Sequence, residues 1–112
     1  MSYTFRSLHK IKNEKEISSL LRSGHRFRCS YFNLVYRKNT ELYDRAAILV
    51  SKKNGAAVTR NRIKRVLREI FRSTKIEHPP YYDILICPHY SSSIDMKVLK
   101  EIYSSWRTEL ET

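Results

Sequence analysis

Hydrophobic residues recur with different spacings along the chain, and the changes of spacing divide it into predicted helices and strands. After Asn13 the spacing is helical, and Ile17, Leu20 and Leu21 share one face. Asn13 suits the N-cap of this helix because its side chain can accept hydrogen bonds from the first turn, and Gly24 suits the C-terminal end. The pattern therefore predicts a first helix between these two residues.

The next segment, residues 25–37, alternates with the period of two that is typical of a strand. Phe32, Leu34 and Tyr36 are predicted to face one side of a sheet. The residues predicted on the opposite side are Phe27, Cys29, Tyr31, Asn33 and Val35. Because both sides are partly apolar, we expect both to be covered by other elements.

Turn signals divide the rest of the chain into four further elements. Residues 46–51 form a short apolar run that ends at a Lys-Lys-Asn-Gly turn. A long helical pattern covers residues 56–74, and a Pro-Pro pair at 79–80 follows it. Residues 81–87 predict a third strand, and residues 94–109 predict a last helix capped by a serine at 91–93. The order α-β-β-α-β-α predicts an α+β sandwich with a small mixed sheet, and the length predicts one domain over residues 1–112.

The chain is strongly basic, which bears on its partners. It has 22 Lys and Arg residues against 11 Asp and Glu, a formal net charge of +11. Such a charge favours a polyanion, and nucleic acid is the commonest one. No apolar run approaches the roughly 18 residues of a membrane helix, and the N-terminus lacks the apolar stretch of a secretory signal. We therefore expect a cytoplasmic protein with no membrane partner.

Side chains for metal binding or covalent catalysis are sparse. Cys29 and Cys87 are far apart and belong to no CxxC pair, and the four histidines lack zinc-site spacing. Two glycines are too few for a glycine-rich phosphate loop. We expect no catalytic side chain and no metal site in this chain.

The predicted helix over 56–74 carries the strongest functional signal. Its apolar side is predicted to hold Thr59, Ile63, Val66, Leu67, Ile70 and Phe71. Its basic side is predicted to hold Arg60, Arg62, Lys64, Arg65, Arg68 and Arg72, with Asn61 among them. Between Lys52 and Arg72 there are eight bases and a single acid, Glu69. A solvated helix face usually interleaves acids, whereas like charges at four-residue spacing repel each other until a polyanion neutralises them.

Arginine-rich helices suit bidentate contacts with phosphate, and Asn61 can bond a 2′-hydroxyl, a base edge or a phosphate. A plain polar helix position is the alternative for Asn61. A basic helix beside a sheet with aromatic and amide side chains favours single-stranded RNA over DNA. The candidate lining of such an RNA groove is Phe27, Tyr31, Asn33 and Val35. The alternative is that these four side chains belong to the core.

The basic segment resembles the signature of the protein subunit of bacterial ribonuclease P. The similar residues are Val-Ser-Lys-Lys at 50–53 and RNRxKRxxRE at 60–69, followed by Phe71-Arg72. The resemblance implies an α-β sandwich with a left-handed β-α-β crossover, similar to a domain of a ribosomal protein. It also implies that an RNA subunit is the catalyst, uses Mg²⁺ bound mainly by that RNA, and removes the 5′ leader of precursor tRNA.

The implied partners are the catalytic RNA and precursor tRNA, with no obligate protein partner. Carried over by motif, the RNA-facing residues are Lys52, Lys53, Arg60, Asn61, Arg62, Lys64, Arg65 and Arg68. A cleft between the basic helix and the sheet would take the leader, lined by Tyr31, Asn33 and Val35. The family often has phenylalanines where this chain has Ile17 and Leu21, and an aromatic residue where it has Val35. Stacking would then fall to Phe5, Phe27 or Tyr31.

Two other functions compete with this interpretation. One is an RNA-binding or ribosome-associated module that uses the same helix without a catalytic partner. The other is a protein-only nuclease, which is disfavoured because the eleven acids are scattered along the chain. An RNA-recognition-motif domain is disfavoured by the missing glycine-aromatic pattern of that family.

Overall fold

The computed structural model describes residues 10–11, 13–74, 76–89 and 95–110. The first helix, α1, spans Glu14–Ser23, as the sequence predicts. The Asn13 side chain accepts a 2.8 Å hydrogen bond from the backbone N–H of Lys15, and Gly24 ends the helix with a backbone N–H donated to the carbonyl of Leu20. Local capping thus sets both ends of this helix.

The predicted strand over residues 25–37 is instead a hairpin of two strands. β1 is His25–Arg28 and β2 is Phe32–Lys38, and they pair antiparallel. The backbone N–H of Cys29 donates to the carbonyl of Phe32 at 3.1 Å and closes the turn. The turn contains no glycine or proline, so the alternating pattern runs through it without a visible break.

The second half of the fold is a strand-helix-strand unit followed by a helix. β3 is Arg45–Ile48, and a short 3₁₀ turn at Lys52–Asn54 leads into α2, Ala57–Ser73. β4 is Tyr82–Pro88 and α3 is Met96–Glu109. The strand order is β1-β2-β4-β3, with β3 and β4 parallel and the other pairs antiparallel. The predicted α+β sandwich with a mixed sheet is confirmed, with four strands rather than three.

Helices lie on both sides of the sheet. α2 and α3 cover one side, where Phe32, Leu34 and Ile84 meet Leu67 and the α3 aromatic residues. α1 covers the other side with a smaller cluster: Ile11, Leu20, Val35, Ala47 and Leu85, joined by Ile17 and Cys87. α1 is only 10 residues long and its cluster is small. We therefore infer that α1 leaves part of this side of the sheet uncovered.

The last helix begins two residues later than predicted and has a different cap. Asp95 accepts hydrogen bonds from the backbone N–H groups of Lys97 and Val98 at 3.0 and 3.4 Å. The serines predicted to cap it, and Ile94, lie outside the described residues. An acid at the N-cap also suits the positive end of the helix dipole.

A buried ion pair fixes α3 to the sheet. Arg107 is fully buried, and its Nε donates to Asp44 Oδ2 at 2.8 Å while a terminal nitrogen reaches Asp44 Oδ1 and the carbonyl of Pro80. Asp44 also accepts the backbone N–H of Tyr82 at 2.9 Å. This network ties the start of β3 and the start of β4 to the end of α3. Within the described part of the chain, no helix has the length and apolar character needed to cross a membrane.

Candidate nucleic-acid interface

α2 has one buried side and one basic side. Ile63, Leu67, Ile70 and Phe71 are buried against the sheet and α3. Asn61, Arg62, Arg65 and Arg68 are exposed, and Arg60 and Lys64 are half-buried. We call these six residues the basic face. The helical periodicity predicted this division for every residue except Thr59, which is exposed because the first turn of α2 lies outside the core, where Val58 is 81% exposed.

The cations of the basic face have no acidic partner among the described residues. Across the described residues, Arg60, Arg62, Lys64, Arg65 and Arg68 form no ion pair with a carboxylate. The Nε atom of Arg60 is buried and has no hydrogen-bond partner there. The like charges predicted from sequence are therefore unneutralised within the part of the chain that the structure describes.

Arg72, predicted with the same set, differs from the others. Its Nε donates to Glu69 Oε2 at 3.0 Å and its terminal nitrogen contacts Glu69 Oε1. Hydrogen bonding from Arg72 lowers the pKa of the Glu69 carboxyl. Arg72 is thus charge-compensated within its own helix.

Three arginines of the sheet also have hydrogen-bond partners within the protein, in α1 or in a neighbouring strand. Arg37 donates to the hydroxyls of Ser19 and Ser23, and Arg26 donates to the carbonyl of Leu21 at 2.8 Å. Arg45 forms two 2.8 Å hydrogen bonds to Asp83, which raise the pKa of the guanidinium. These contacts separate structural arginines from those of the basic face.

Lys52 and Lys53 extend the basic face at the N-terminus of α2. Both are exposed in the 3₁₀ turn, which Gly55 closes with a φ of 111° that favours glycine. Asn54 is buried there, and its amide donates to Ser51. The first turn of α2 contains no acid, so the positive end of the helix dipole adds to the charge of the two lysines.

A groove follows the outer edge of β3 and meets the basic face. It has a volume of about 240 Å³, and none of the described residues that line it is acidic. Its lining consists of Lys10, Ile11, Ile17, Ala46, Ala47, Ile48, Leu49, Lys64 and Arg68. A second hollow of about 420 Å³ shares Ile48, Leu49 and Lys64 with it and continues to Cys87 and Pro88. We call the two together the edge groove.

The edge groove combines an apolar surface with cations. Leu49 is exposed, and Ile17 and Cys87 are half-buried, so apolar side chains are available to a ligand. Lys64 and Arg68 stand beside them on α2. Bases stack or pack on apolar surfaces while phosphates meet cations, so this arrangement suits single-stranded nucleic acid.

Comparison with known proteins shows the family of this chain. The family model described as Ribonuclease P matches residues 5–110. The chain belongs to the ribonuclease P family. Relatives named ribonuclease P protein component include that of Petrotoga mobilis, 34% identical over 84% of this chain and 80% of its own length. That of Syntrophobacter fumaroxidans is 35% identical over 90% of this chain and 87% of its own length.

Solved ribonuclease P proteins share the fold. The Thermotoga maritima protein superposes with a TM-score of 0.73 at 30% identity, covering 82% of this chain and 88% of that one. A Staphylococcus aureus protein gives a TM-score of 0.73 at 28% identity, covering 83% and 86%. The likeness therefore extends over most of each chain rather than over the basic helix alone.

Two residues predicted to line a leader cleft in this ribonuclease P family member are placed elsewhere. Phe27 pairs across the hairpin with Leu34 and packs on Trp106 with ring centroids 5.9 Å apart, on the α2 and α3 side. The hairpin turn reverses the alternation on which the prediction for Phe27 depended. Val35 is only 2% exposed because it is buried in the small α1-side cluster. The predicted side of Phe27 is therefore wrong, and neither Phe27 nor Val35 lines the edge groove. Their contact with a leader stays a prediction, and Phe5, the other aromatic candidate, lies outside the described residues.

Asn33 remains on the predicted side of the sheet, and Tyr31 lies in the hairpin turn. Tyr31 is exposed, Asn33 is half-buried, and Asn33 lies opposite Cys87 in the pairing of β2 with β4. The sequence interpretation missed His89, which contacts Asn33, and Leu49 and Cys87, which line the edge groove. The two-residue alternation of a strand could have found Cys87 and His89, because it places residues 85, 87 and 89 on the same side of the sheet.

The described residues include no group of three or more His, Cys, Asp or Glu side chains placed to hold a metal ion. Burial raises the pKa of the Cys87 thiol, and the charge of Arg26 opposes part of that rise. The chemistry that these groups offer in this ribonuclease P family member is binding through charge, hydrogen bonds and apolar contact.

Proposed function

We propose that this chain is the protein subunit of ribonuclease P, which binds the catalytic RNA and the 5′ leader of precursor tRNA. In this role it assists the Mg²⁺-dependent removal of the leader. The observation that carries the proposal is the unneutralised basic face of α2 beside the apolar edge groove. The names of the relatives, ribonuclease P protein component, support it.

The basic face supplies charge neutralisation. Arg62, Arg65 and Arg68 are exposed and spaced by three residues, so their side chains project along one side of α2. Guanidinium groups bind phosphate oxygens in pairs, which suits the backbone of a folded RNA. Placing them between two RNAs lowers the repulsion of the phosphates that must approach each other.

The edge groove supplies the site for the leader. Leu49 and Ile17 offer apolar contact for bases, while Lys64 and Arg68 offer charge for phosphates. Because Lys64 and Arg68 belong to both the basic face and the groove, a leader bound there is held next to the catalytic RNA. The protein thereby sets the position of the scissile bond without contributing a reacting group.

Mg²⁺ enters this proposal as an ion held by RNA phosphates. When bound, it supplies activation of water and stabilisation of the leaving oxygen. The residues of this chain contribute by holding the two RNAs together, which lowers the Mg²⁺ concentration needed for assembly.

Reconstituted cleavage tests the proposal. The matching catalytic RNA is incubated with precursor tRNA at low Mg²⁺, with and without the protein, and release of the leader is measured. We expect the protein to restore cleavage, an Arg65→Ala variant to restore less, and a Lys97→Ala variant, changed at an exposed lysine of α3, to match the wild type. Tight RNA binding without any effect on cleavage would favour the RNA-binding module over a ribonuclease P subunit.

A further inference from the structure

A hollow of about 320 Å³ lies between β1 and α3, on the side of the sheet away from α1. Three of its lining residues are exposed and polar, and three are apolar and buried or half-buried. The lining consists of Glu101, Ser105, Glu109, Phe27, Ile102 and Trp106. We call it the α3 hollow, and it shares no residue with the basic face or the edge groove.

The α3 hollow is acidic although the chain is strongly basic. Glu101 and Glu109 are both exposed, and no Lys or Arg of the described residues lines the hollow. The two carboxylates stand eight residues apart on α3, which places them about 12 Å apart along the helix axis. In a chain of net charge +11, such a place attracts a cation that the rest of the surface repels.

β1 is an open edge of the sheet beside this hollow. It is the last strand in the order β1-β2-β4-β3, and the backbone N–H of Cys29 donates to the carbonyl of Phe32. Bonded and non-bonded pairs alternate along an antiparallel ladder, so the backbone groups of Arg26 and Arg28 point outward. No described residue bonds to these outward groups. An extended segment can therefore add to β1 as a further strand.

Trp106, the single tryptophan of the chain, carries an unsatisfied donor at the α3 hollow. Its side chain is 4% exposed, and its Nε1 has no hydrogen-bond partner among the described residues. A buried donor without an acceptor is destabilising, so a ligand that supplies an acceptor is favoured. The backbone carbonyls of a peptide are such acceptors.

An added strand and α3 would run in roughly the same line. α3 returns along β4, because the hydroxyl of Tyr82 at the start of β4 donates to the carbonyl of Leu110 just after α3. β1 and β4 are both antiparallel to β2, so α3 also runs along β1. Alternate side chains of a strand face the same side, and four residues span about 13 Å. This span matches the separation of Glu101 and Glu109.

We propose that β1 and the α3 hollow bind an extended basic segment of another protein, with a large apolar residue two positions away from an arginine or lysine on each side. The apolar side chain enters the hollow, the two cations meet Glu101 and Glu109, and the main chain pairs with β1. Neither the basic face nor the edge groove takes part, so this site is independent of the proposed function.

Peptide titrations of the full chain test the proposal. The probe is the acetylated and amidated peptide RSLSR, and the controls are RSSSR, which lacks the apolar residue, and ESLSE, whose charges are reversed. Trp106 emission reports occupancy of the hollow, and anisotropy of fluorescein-labelled peptides gives an independent affinity. We expect saturable binding of RSLSR, about tenfold tighter than binding of either control.

Variants and modified peptides test each contact. Glu101→Arg should bind RSLSR more weakly and prefer one of the half-reversed peptides, ESLSR or RSLSE. Glu77→Arg, at an exposed acid outside the hollow, should leave the order of affinities unchanged. N-methylation of the leucine alone, or of both serines, should abolish binding in one case only, because alternate N–H groups of an added strand reach β1. Circular dichroism shows whether each variant keeps its fold.

The proposal is overturned if neither readout detects binding of RSLSR, or if ESLSE binds as tightly. Binding that neither N-methylation pattern weakens overturns strand addition and the proposal with it. Spermidine that produces the same change in Trp106 emission would assign the hollow to a free polyamine instead. Self-association in sedimentation that RSLSR reverses would assign the edge to a second copy of this chain, and either result overturns the proposal.

Discussion

Ile63 and Leu67 on one side of α2, and Arg62 and Arg65 on the other, show how neighbouring residues divide between stability and binding. The two aliphatic side chains are 2% and 3% exposed and pack in the main core, whereas the two arginines project into solvent. Substitutions at adjacent positions should therefore have separable effects. Single substitutions on the two sides of α2 therefore test the orientation of this helix directly.

Replacing these four residues by alanine should lower stability at the two aliphatic positions and weaken RNA binding at the two arginines. Ile63→Ala and Leu67→Ala each leave a cavity and should lower the free energy of unfolding by about 2–5 kcal/mol. Arg62→Ala and Arg65→Ala should leave thermal stability unchanged and weaken binding to the catalytic RNA, since each removes an exposed charge. Circular dichroism melts measure thermal stability, and RNA titrations measure affinity for the catalytic RNA. If the arginine variants lost stability and the Ile63 and Leu67 variants lost only RNA affinity, the assigned orientation of α2 would be wrong.

Gly24 is required by a close approach of α1 to β2. A Cβ at this position would lie 2.6 Å from the carbonyl oxygen of Leu20 and 2.7 Å from Cγ1 of Val35. Gly24→Ala should therefore destabilise the protein by about 1–3 kcal/mol, the usual cost of overpacking. Ser18→Ala, at an exposed position of the same helix, is the control and should have little effect in the same urea titration. Equal stability of the two variants would contradict the contact.

α1 and α3 are each tied to the sheet by arginine contacts near their C-terminal ends. α1 is held by arginines of β1 and β2, and α3 by the buried pair of Arg107 and Asp44. Because the pair connects α3 to the starts of both parallel strands, it also fixes the sheet edge along which the edge groove runs. The stability of α3 is thus linked to the shape of the site.

Removing one partner of the buried pair should be costly. Arg107→Ala leaves the Asp44 carboxylate buried without its guanidinium and should lower the free energy of unfolding by about 3–5 kcal/mol. The double variant Asp44→Ala with Arg107→Ala should lose less than the sum of the single variants, because it leaves no unpaired buried charge. Chemical denaturation of the four proteins gives the coupling free energy, and simple additivity would contradict a direct pair.

The sequence predicted those elements whose signals are local. Asn13 and Gly24 set the ends of α1, and the period of α2 placed its arginines correctly, because capping and helical spacing act within a few residues. The hairpin was missed because its turn lacks glycine and proline. Contacts between residues far apart in sequence, such as Arg107 with Asp44 or His89 with Asn33, follow from strand order and register, which no local pattern contains.

At the scale of the whole molecule, the cations behind the net charge of +11 differ in whether they have partners within the protein. Arg26, Arg37 and Arg45 of the strands are engaged in hydrogen bonds within the protein. The five cations of the basic face form no ion pair with described residues. The fold thereby concentrates unneutralised charge along α2 and the edge groove. A polyanion bound there would relieve repulsion that the free protein carries.

Cys87 provides a chemical probe of the groove. Its pKa is raised by burial, so its reaction with iodoacetamide should be slow at neutral pH and accelerate as the pH rises and the thiolate forms. Precursor tRNA should slow this alkylation, whereas mature tRNA without a leader should not. Cys29, on the other core cluster, is the internal control in a peptide-mass measurement, and equal protection of both cysteines would argue against a leader in the groove.

Salt dependence tests how many leader phosphates the protein neutralises. Binding of a single strand releases counterions, so log affinity should fall with log salt concentration at a slope of about −0.7 for each phosphate contact. About five contacts from Lys64, Arg68 and their neighbours give a slope near −3.5 for the leader-dependent part of binding. That part is obtained by subtracting the slope for mature tRNA from that for precursor tRNA. Lys64→Ala should make the difference less steep by about 0.7 and Lys97→Ala should leave it unchanged, whereas a flat difference for wild type would mean that the leader does not contact these cations.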